Sequence, residues 1–207
     1  MSTPAPKLRL VAPTGAGEAA PASARQPAPR ELTLEVLYED YSPYVAAVAS
    51  RILGRAAEVE DVVQDVFTVA IKGLRRREET HEIKGWLAKV TVRRCLRQLR
   101  LRRIWSLVDL AASPSYERLA EPSAGPEEQR LVSEVYRALD EVPARERVAW
   151  TLRHVEGESL EEVALLCDCS LATAKRRIAG AHEKIKQKLD GASALRAARS
   201  TPDGRGR

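Results

Sequence analysis

The chain has 207 residues, 44 % of them hydrophobic but only 4 % aromatic, with a formal net charge of +5 and a pI of about 9.3. This balance suits small helical cores of Leu, Val and Ala better than a β-sandwich, and the length allows one or two domains. There is no apolar run of about 18 residues for a membrane span and no signal-peptide core at the N-terminus, and Cys95, Cys167 and Cys169 lack paired spacing, so reduced cytosolic thiols are expected.

Residues 1–30 are rich in Pro, Ala and Ser, with prolines too frequent for a continuous helix, and read as a disordered tail. A first helical domain is expected over 31–104. In Glu31–Leu53, Leu34, Leu37, Tyr41, Val45, Val48 and Ile52 recur at helical spacing. Ser42-Pro43 interrupts this run and predicts two helices or one kinked helix, with Gly54 as the stop. Glu58–Leu74 is amphipathic. Val59, Val62, Val63, Val66, Phe67, Ala70 and Leu74 form its core face, and Glu60, Asp61, Gln64 and Asp65 an acidic one. Gly73 is a plausible helix stop. It opens an exposed loop that holds Arg75, Arg76, Arg77 and His81.

Lys84–Arg103 carries eight Lys or Arg and no Asp or Glu. On a wheel of about 100° per residue, Leu87, Thr91, Cys95 and Leu99 fall on one side. Lys89, Arg93, Arg97 and Arg100 fall on another, with Trp86 one turn above Lys89. A one-sign stripe forgoes the few tenths of a kcal/mol that each opposite-charge pair would give, and a polyanion laid along it would relieve its self-repulsion. Neighbouring helices thus offer opposite charges to two different partners.

Residues 105–126 lose helical period and are rich in Pro, Ser and Gly, marking a flexible linker with short helical turns in Trp105–Ala112. A second helical domain is expected over 127–190. Leu131, Val135 and Leu139 share a face, Val142-Pro143 separates two helices, and Gly157 breaks the next. Ser159 caps a short helix, with Glu162 completing a capping box. Cys167-Asp168-Cys169 fits a tight turn. Ser170 caps a last helix with Leu171, Ala174, Ile178, Ala181, Ile185 and Leu189 inward. Short helix, turn and second helix form the helix-turn-helix pattern. Ala172, Thr173, Lys175, Arg176 and Arg177 on its outer first turns suit entry into a major groove. Residues 191–207 read as a flexible tail. No metal site is expected. Cys167 and Cys169 lack two further ligands, and His154 and His182, on other helices, are not expected to converge. Asp61 and Asp65 share a face but have neither a third ligand nor a base, which argues against a metal-dependent nuclease.

Two segments, in order and at the right separation, resemble one family. Glu58–Phe67 (EVEDVVQDVF), Trp86 to Arg94 and Leu99–Arg103, then Leu139–Arg147 (LDEVPARER) and Gly157–Arg177, resemble an extracytoplasmic-function sigma factor of the sigma-70 family, the initiation subunit of bacterial RNA polymerase. The resemblance covers about residues 32–189. It implies an all-α fold of two small domains, no enzymatic activity and no cofactor. Its implied partners are the polymerase core, through clamp helices and flap, and promoter DNA. Glu60, Asp61, Gln64 and Asp65 would dock on the polymerase. Arg75, Arg76, Arg77, Trp86, Lys89, Arg93, Arg97 and Arg100 would hold the −10 element, and Ser170, Ala172, Thr173, Lys175, Arg176 and Arg177 the −35 element. Family members are often held inactive by an anti-sigma protein, which makes one a candidate partner. The chain departs from the family pattern at Arg93 (usually Asn), Arg97 (often Asp), Asp168 (usually Gly), Cys169 (usually Ile or Val), Ala172 (often Gly) and Ala174 (often Val). The alternative is a helix-turn-helix regulator that acts without being a polymerase subunit, which would leave the first half of the chain unexplained.

Overall fold

The computed structural model describes residues 33–74, 83–105, 116 and 125–200; all the regular structure within them is helical, as the composition suggests. The elements are α1 (Leu34–Leu53), α2 (Ala56–Leu74), α3 (Ile83–Trp105), α4 (Pro126–Glu141), α5 (Ala144–His154), α6 (Leu160–Leu166) and α7 (Leu171–Ser200). The loop holding Arg75, Arg76, Arg77 and His81, the N-terminal tail and the turns expected after Trp105 lie outside the described residues.

Helix α1 is a single helix capped at Thr33, whose hydroxyl accepts the Val36 N–H at 3.4 Å. Ser42-Pro43 does not divide it. Pro43 lies on the exposed side, where the carbonyl one turn earlier can bond to water instead of the missing N–H. Gly54 ends the helix in the left-handed region, at φ 71°, and donates its N–H to Ser50 O at 2.7 Å. A Cβ there would also stand 2.8 Å from the Tyr136 ring and 2.9 Å from Tyr116, so glycine is required twice over. Gly73 does not stop α2, which continues to Leu74. Its flank instead receives the six-membered ring of Trp86, 2.8 Å from where a Cβ would sit.

Helices α1, α2 and α3 pack together around Leu37, Val45, Ile52, Val66, Phe67, Leu87 and Cys95, all buried. Each fully buried side chain of this size contributes about 1.5–3 kcal/mol. The buried arc of α3 is wider than its wheel predicts, because Ala88, Val90 and Val92 are covered too. Helix α3 also packs against α5 and α6, and α1 against α5, so the two helical groups are closed on each other around one continuous core.

Charged side chains cross between the two groups. Arg147 on α5 is 1 % exposed and donates from Nε to Ile52 O (2.9 Å), from Nη2 to Leu53 O (2.8 Å) and from Nη1 to Asp140 (2.6 Å). Burial lowers its pKa, and Asp140 opposes that shift. Asp140 also receives Arg102 of α3 at 3.1 Å, lies 3.8 Å from Arg55 and accepts the hydroxyl of Tyr116. Arg102 further donates to Glu58 and to Leu53 O. Arg51 of α1 pairs with Glu156, with one hydrogen bond at 3.0 Å, and the Tyr136 hydroxyl donates to Arg51 O at 2.7 Å. Tyr116 anchors the expected linker: it is 1 % exposed, stacks on Tyr136 at 5.5 Å, and its phenol pKa is pushed up to about 12, mainly by burial.

The last four helices follow their caps. Val142 and Pro143 separate α4 from α5, and Ser159 accepts the Glu162 N–H at 3.0 Å. Ala174, Ile178, Ala181 and Ile185 of α7 are buried, but Leu171 is 37 % exposed rather than inward. It is the first helical residue, outside the packed part of α7. Helix α7 runs on past Gly191 to Ser200. The rings of His154 and His182 lie 5.7 Å apart between centroids, tilted by 31°, with Trp150 beyond His154.

Candidate functional site

Three surfaces carry the predicted residues. On α2, Glu60, Asp61, Gln64 and Asp65 are all exposed, while Val62, Val63, Val66 and Phe67 on the opposite side are buried. Asp61 and Asp65 stand one turn apart with the same sign, an arrangement that costs an isolated helix a few tenths of a kcal/mol. Asp65 lies 3.4 Å from Arg94, a pairing the sequence does not announce. That exposed pair is worth about 1 kcal/mol at most. Asp61 has no ion pair among the described residues, and neither Arg93 nor Arg97 reaches this face.

On α3, Arg93, Arg97 and Arg100 are exposed and Lys89 is half-buried. Arg97 and Arg100 make no ion pair among the described residues. Arg93 and Lys89 face the turn between α6 and α7, where the Asp168 carboxylate lies 3.3 Å from Arg93 and 3.9 Å from Lys89. Trp86 is half-buried with its ring against Gly73, so only part of it is open to a stacking base. The buried Cys95 thiol behind the stripe has its pKa pushed up, chiefly by burial, which makes it a core group. Thr91, also buried, donates its hydroxyl to Leu87 O at 2.7 Å.

The third surface is the start of α7. Asp168 takes φ 52°, the left-handed conformation, which Asp accepts better than most residues. Cys169 then donates to Ala164 O at 3.0 Å, closing the turn. Ser170 accepts the Thr173 N–H at 3.2 Å, and the Ser170 and Thr173 hydroxyls bond each other at 2.9 Å. Both hydroxyls therefore serve the cap first. Ala172, Lys175 and Arg176 are exposed, whereas Thr173 and Arg177 are half-buried. Arg177 lies near Cys167, whose thiol pKa is pushed up to about 11 by burial and by Cys169, with Arg177 opposing.

A family model described as sigma-70 region 2 matches residues 37–104, and one described as sigma-70 region 4 matches residues 133–185. The chain belongs to the sigma-70 family. The ECF RNA polymerase sigma-E factor of Escherichia coli (strain K12) is 30 % identical over 158 residues, which span 72 % of this chain and 82 % of that one. The ECF RNA polymerase sigma factor SigE of Mycolicibacterium smegmatis is 26 % identical over 158 residues, 74 % of this chain and 60 % of that one. The fold matches the sigma factor RpoE of Bartonella quintana, solved with the anti-sigma factor NepR (TM-score 0.54, 22 % identity, 75 % of this chain and 96 % of that one). It also matches CnrH, solved with the cytosolic domain of CnrY (TM-score 0.51, 23 % identity, 76 % of this chain and 88 % of that one). This sigma factor carries both regions, so the regulator that acts only through its helix-turn-helix is set aside: the acidic and basic helices of the first half lie within the region 2 match. No helix among the described residues is long and apolar enough to cross a membrane.

Proposed function

We propose that this sigma factor divides its work among three surfaces. The exposed acidic row Glu60, Asp61, Gln64 and Asp65 docks on basic helices of the polymerase core. The basic residues of α3, with Arg75, Arg76 and Arg77, hold the −10 strand, helped by the open edge of Trp86. Ala172, Lys175 and Arg176 meet the −35 duplex, with Ser170, Thr173 and Arg177 setting the first turn of α7 in position. Residues 31–104 and 127–190 act as the two promoter-binding domains, joined by 105–126. The chain works in the cytoplasm and performs no chemistry itself; bond making belongs to the polymerase. An anti-sigma protein, the kind of partner named for the Bartonella quintana structure, is the proposed inhibitor.

The observation that carries the docking surface is the uncovered state of the α2 acidic row. It stays accessible while α3, next to it, is covered on more than one side. A charged rim of this kind mainly sets orientation and on-rate. Asp61→Lys combined with Asp65→Lys should slow and weaken association with purified core polymerase, most strongly at low salt. Unchanged association would refute the docking surface.

A further inference from the structure

The turn that leads into α7 carries a sulfur pair that promoter binding does not use. Cys167 and Cys169 flank Asp168, the one non-glycine residue with positive φ among the described residues. Cys167 lies in the hydrophobic core and Cys169 packs against it, so both side chains point to the same interior. Cys169 is half-buried, whereas Cys167 is only 9 % exposed. The two thiols are close enough for Cys169 to push up the Cys167 pKa, with the guanidinium of Arg177 acting in the other direction. A residue in a helical region of either hand sets the Cα atoms beside it about 5.4 Å apart. A disulfide spans about 4.4–6.8 Å between Cα atoms, so this turn lies within its reach.

A role as small apolar filler accounts for Cys167. It accounts less well for Cys169, which is partly open to solvent and stands where the family usually has Ile or Val. Exchanging a branched aliphatic chain for Cys gives up packing and gains reactivity. A reachable thiol beside a covered one is the arrangement of an oxidant-sensing pair, in which the first meets the oxidant and the second resolves it.

We infer that Cys167 and Cys169 form a peroxide-responsive dithiol whose closure to a disulfide unseats the first turn of α7. The Cys169 thiolate attacks one oxygen of hydrogen peroxide, the O–O bond breaks, and the departing hydroxide takes up the thiol's proton as water. The Cys169 sulfur is then a sulfenic acid. The Cys167 sulfur attacks it, the S–S bond forms, the S–O bond breaks, and a second water carries off the Cys167 proton. Two thiols are oxidised and one peroxide is reduced to two waters. A dithiol reductant reverses the step by thiol–disulfide exchange. Drawing the sulfurs together to about 2.05 Å pulls on the backbone around Asp168. It strains the bond from the Cys169 N–H to Ala164 O, now 3.0 Å, and the adjacent Ser170 cap, which accepts the Thr173 N–H at 3.2 Å. The consequence for DNA rests on the proposed −35 role of α7: the oxidised chain holds that duplex less well.

The test treats the full chain with hydrogen peroxide, removes the peroxide, alkylates free thiols and cuts with trypsin. Both cysteines fall in the tryptic peptide His154–Lys175. After peroxide this peptide should be unalkylated and lighter by two hydrogens, and dithiothreitol should restore both thiols. Amide hydrogen exchange at Cys169 and Thr173 should quicken by about fivefold to tenfold in the oxidised chain, the scale of one lost helix cap. Duplexes enriched from a random pool by the reduced chain with core polymerase should be held more weakly by about the same factor once the chain has been oxidised. Cys169→Val, which restores a branched side chain, should behave as the reduced wild type and ignore peroxide. The inference is overturned if both thiols stay alkylatable, if the peptide gains oxygen without pairing, or if Cys169→Val responds as the wild type does. It is also overturned if the disulfide leaves the two amides unchanged, or leaves unchanged a duplex retention that depends on Arg176. Failure of the −35 role looks different: the amides quicken on oxidation while Arg176→Ala leaves duplex retention untouched, which keeps the dithiol and removes only its effect on DNA.

Discussion

Arg147 offers the sharpest energetic test of the packing between the two helical groups. Arg147→Ala deletes three charge-assisted hydrogen bonds, to Ile52 O, Leu53 O and Asp140. Taken singly, such bonds are worth about 1.5–3 kcal/mol each. They do not add here, because Leu53 O keeps Arg102 and Asp140 keeps both Arg102 and Tyr116. Ile52 O alone is deprived of its side-chain partner. Removing one member of a buried charged network costs about 3–5 kcal/mol, and these shared partners place the loss near 3 kcal/mol. Arg147→Met, which fills the space with an apolar side chain, should cost less than Arg147→Ala. Urea denaturation followed by helical circular dichroism measures all of this. Arg147→Ala and Asp140→Asn should combine less than additively, since each loosens the same knot. An Arg147→Ala chain within about 0.5 kcal/mol of wild type would refute the reasoning.

Gly73→Ala tests a close approach. In an exposed helix interior this change stabilises by about 1 kcal/mol, but here the new Cβ meets the Trp86 ring, so thermal melting should show a net loss of about 1–2 kcal/mol. The −35 surface can be separated residue by residue. Arg176→Ala should reduce the salt dependence of duplex binding by about 0.9 in slope for each phosphate it no longer neutralises, and Arg177→Ala, half-buried, should change it less; equal slopes would remove the distinction. The histidine pair predicts a pH dependence. Burial, then His182 and Arg153, hold His154 below the ordinary histidine value of 6.5. The unfolded chain therefore takes up the proton first. The stability associated with neutral His154 is present above pH 6.5 and is lost as pH falls from there through the folded pKa. His154→Gln should flatten that part of the stability curve, and an unchanged curve would refute the assignment. Glu158 does not confuse the reading, because its raised pKa acts in the opposite direction, with stability lost as pH rises out of the carboxylate range.

The local structure was largely legible in the sequence because period and capping are local rules. The spacing of Leu37, Val45, Val48 and Ile52 identifies the buried side of α1. Ser159 and Ser170 mark helix starts, and Asp168 takes the left-handed turn expected of it. The acidic and basic rows follow from the same helical arithmetic. What escaped was everything that depends on a second surface. Nothing in helical spacing announces that Arg51, Arg102 and Arg147 are buried or nearly so against the other helical group. Tyr116 sits in a stretch without periodicity, and nothing nearby shows that it will be enclosed. Pro43 left two helices and one interrupted helix open, and the single helix is settled by exposure, a tertiary property: a helix tolerates proline where the orphaned carbonyl faces water. Gly73 has the look of a stop signal until the ring of Trp86 is placed on it.

The turn at Asp168 has an evolutionary corollary. Glycine and asparagine also accept its left-handed backbone, so exchange at this site preserves the fold while changing the charge presented to Lys89 and Arg93. Substitution at one codon thus changes the charge set against the basic stripe of α3 and leaves the architecture intact.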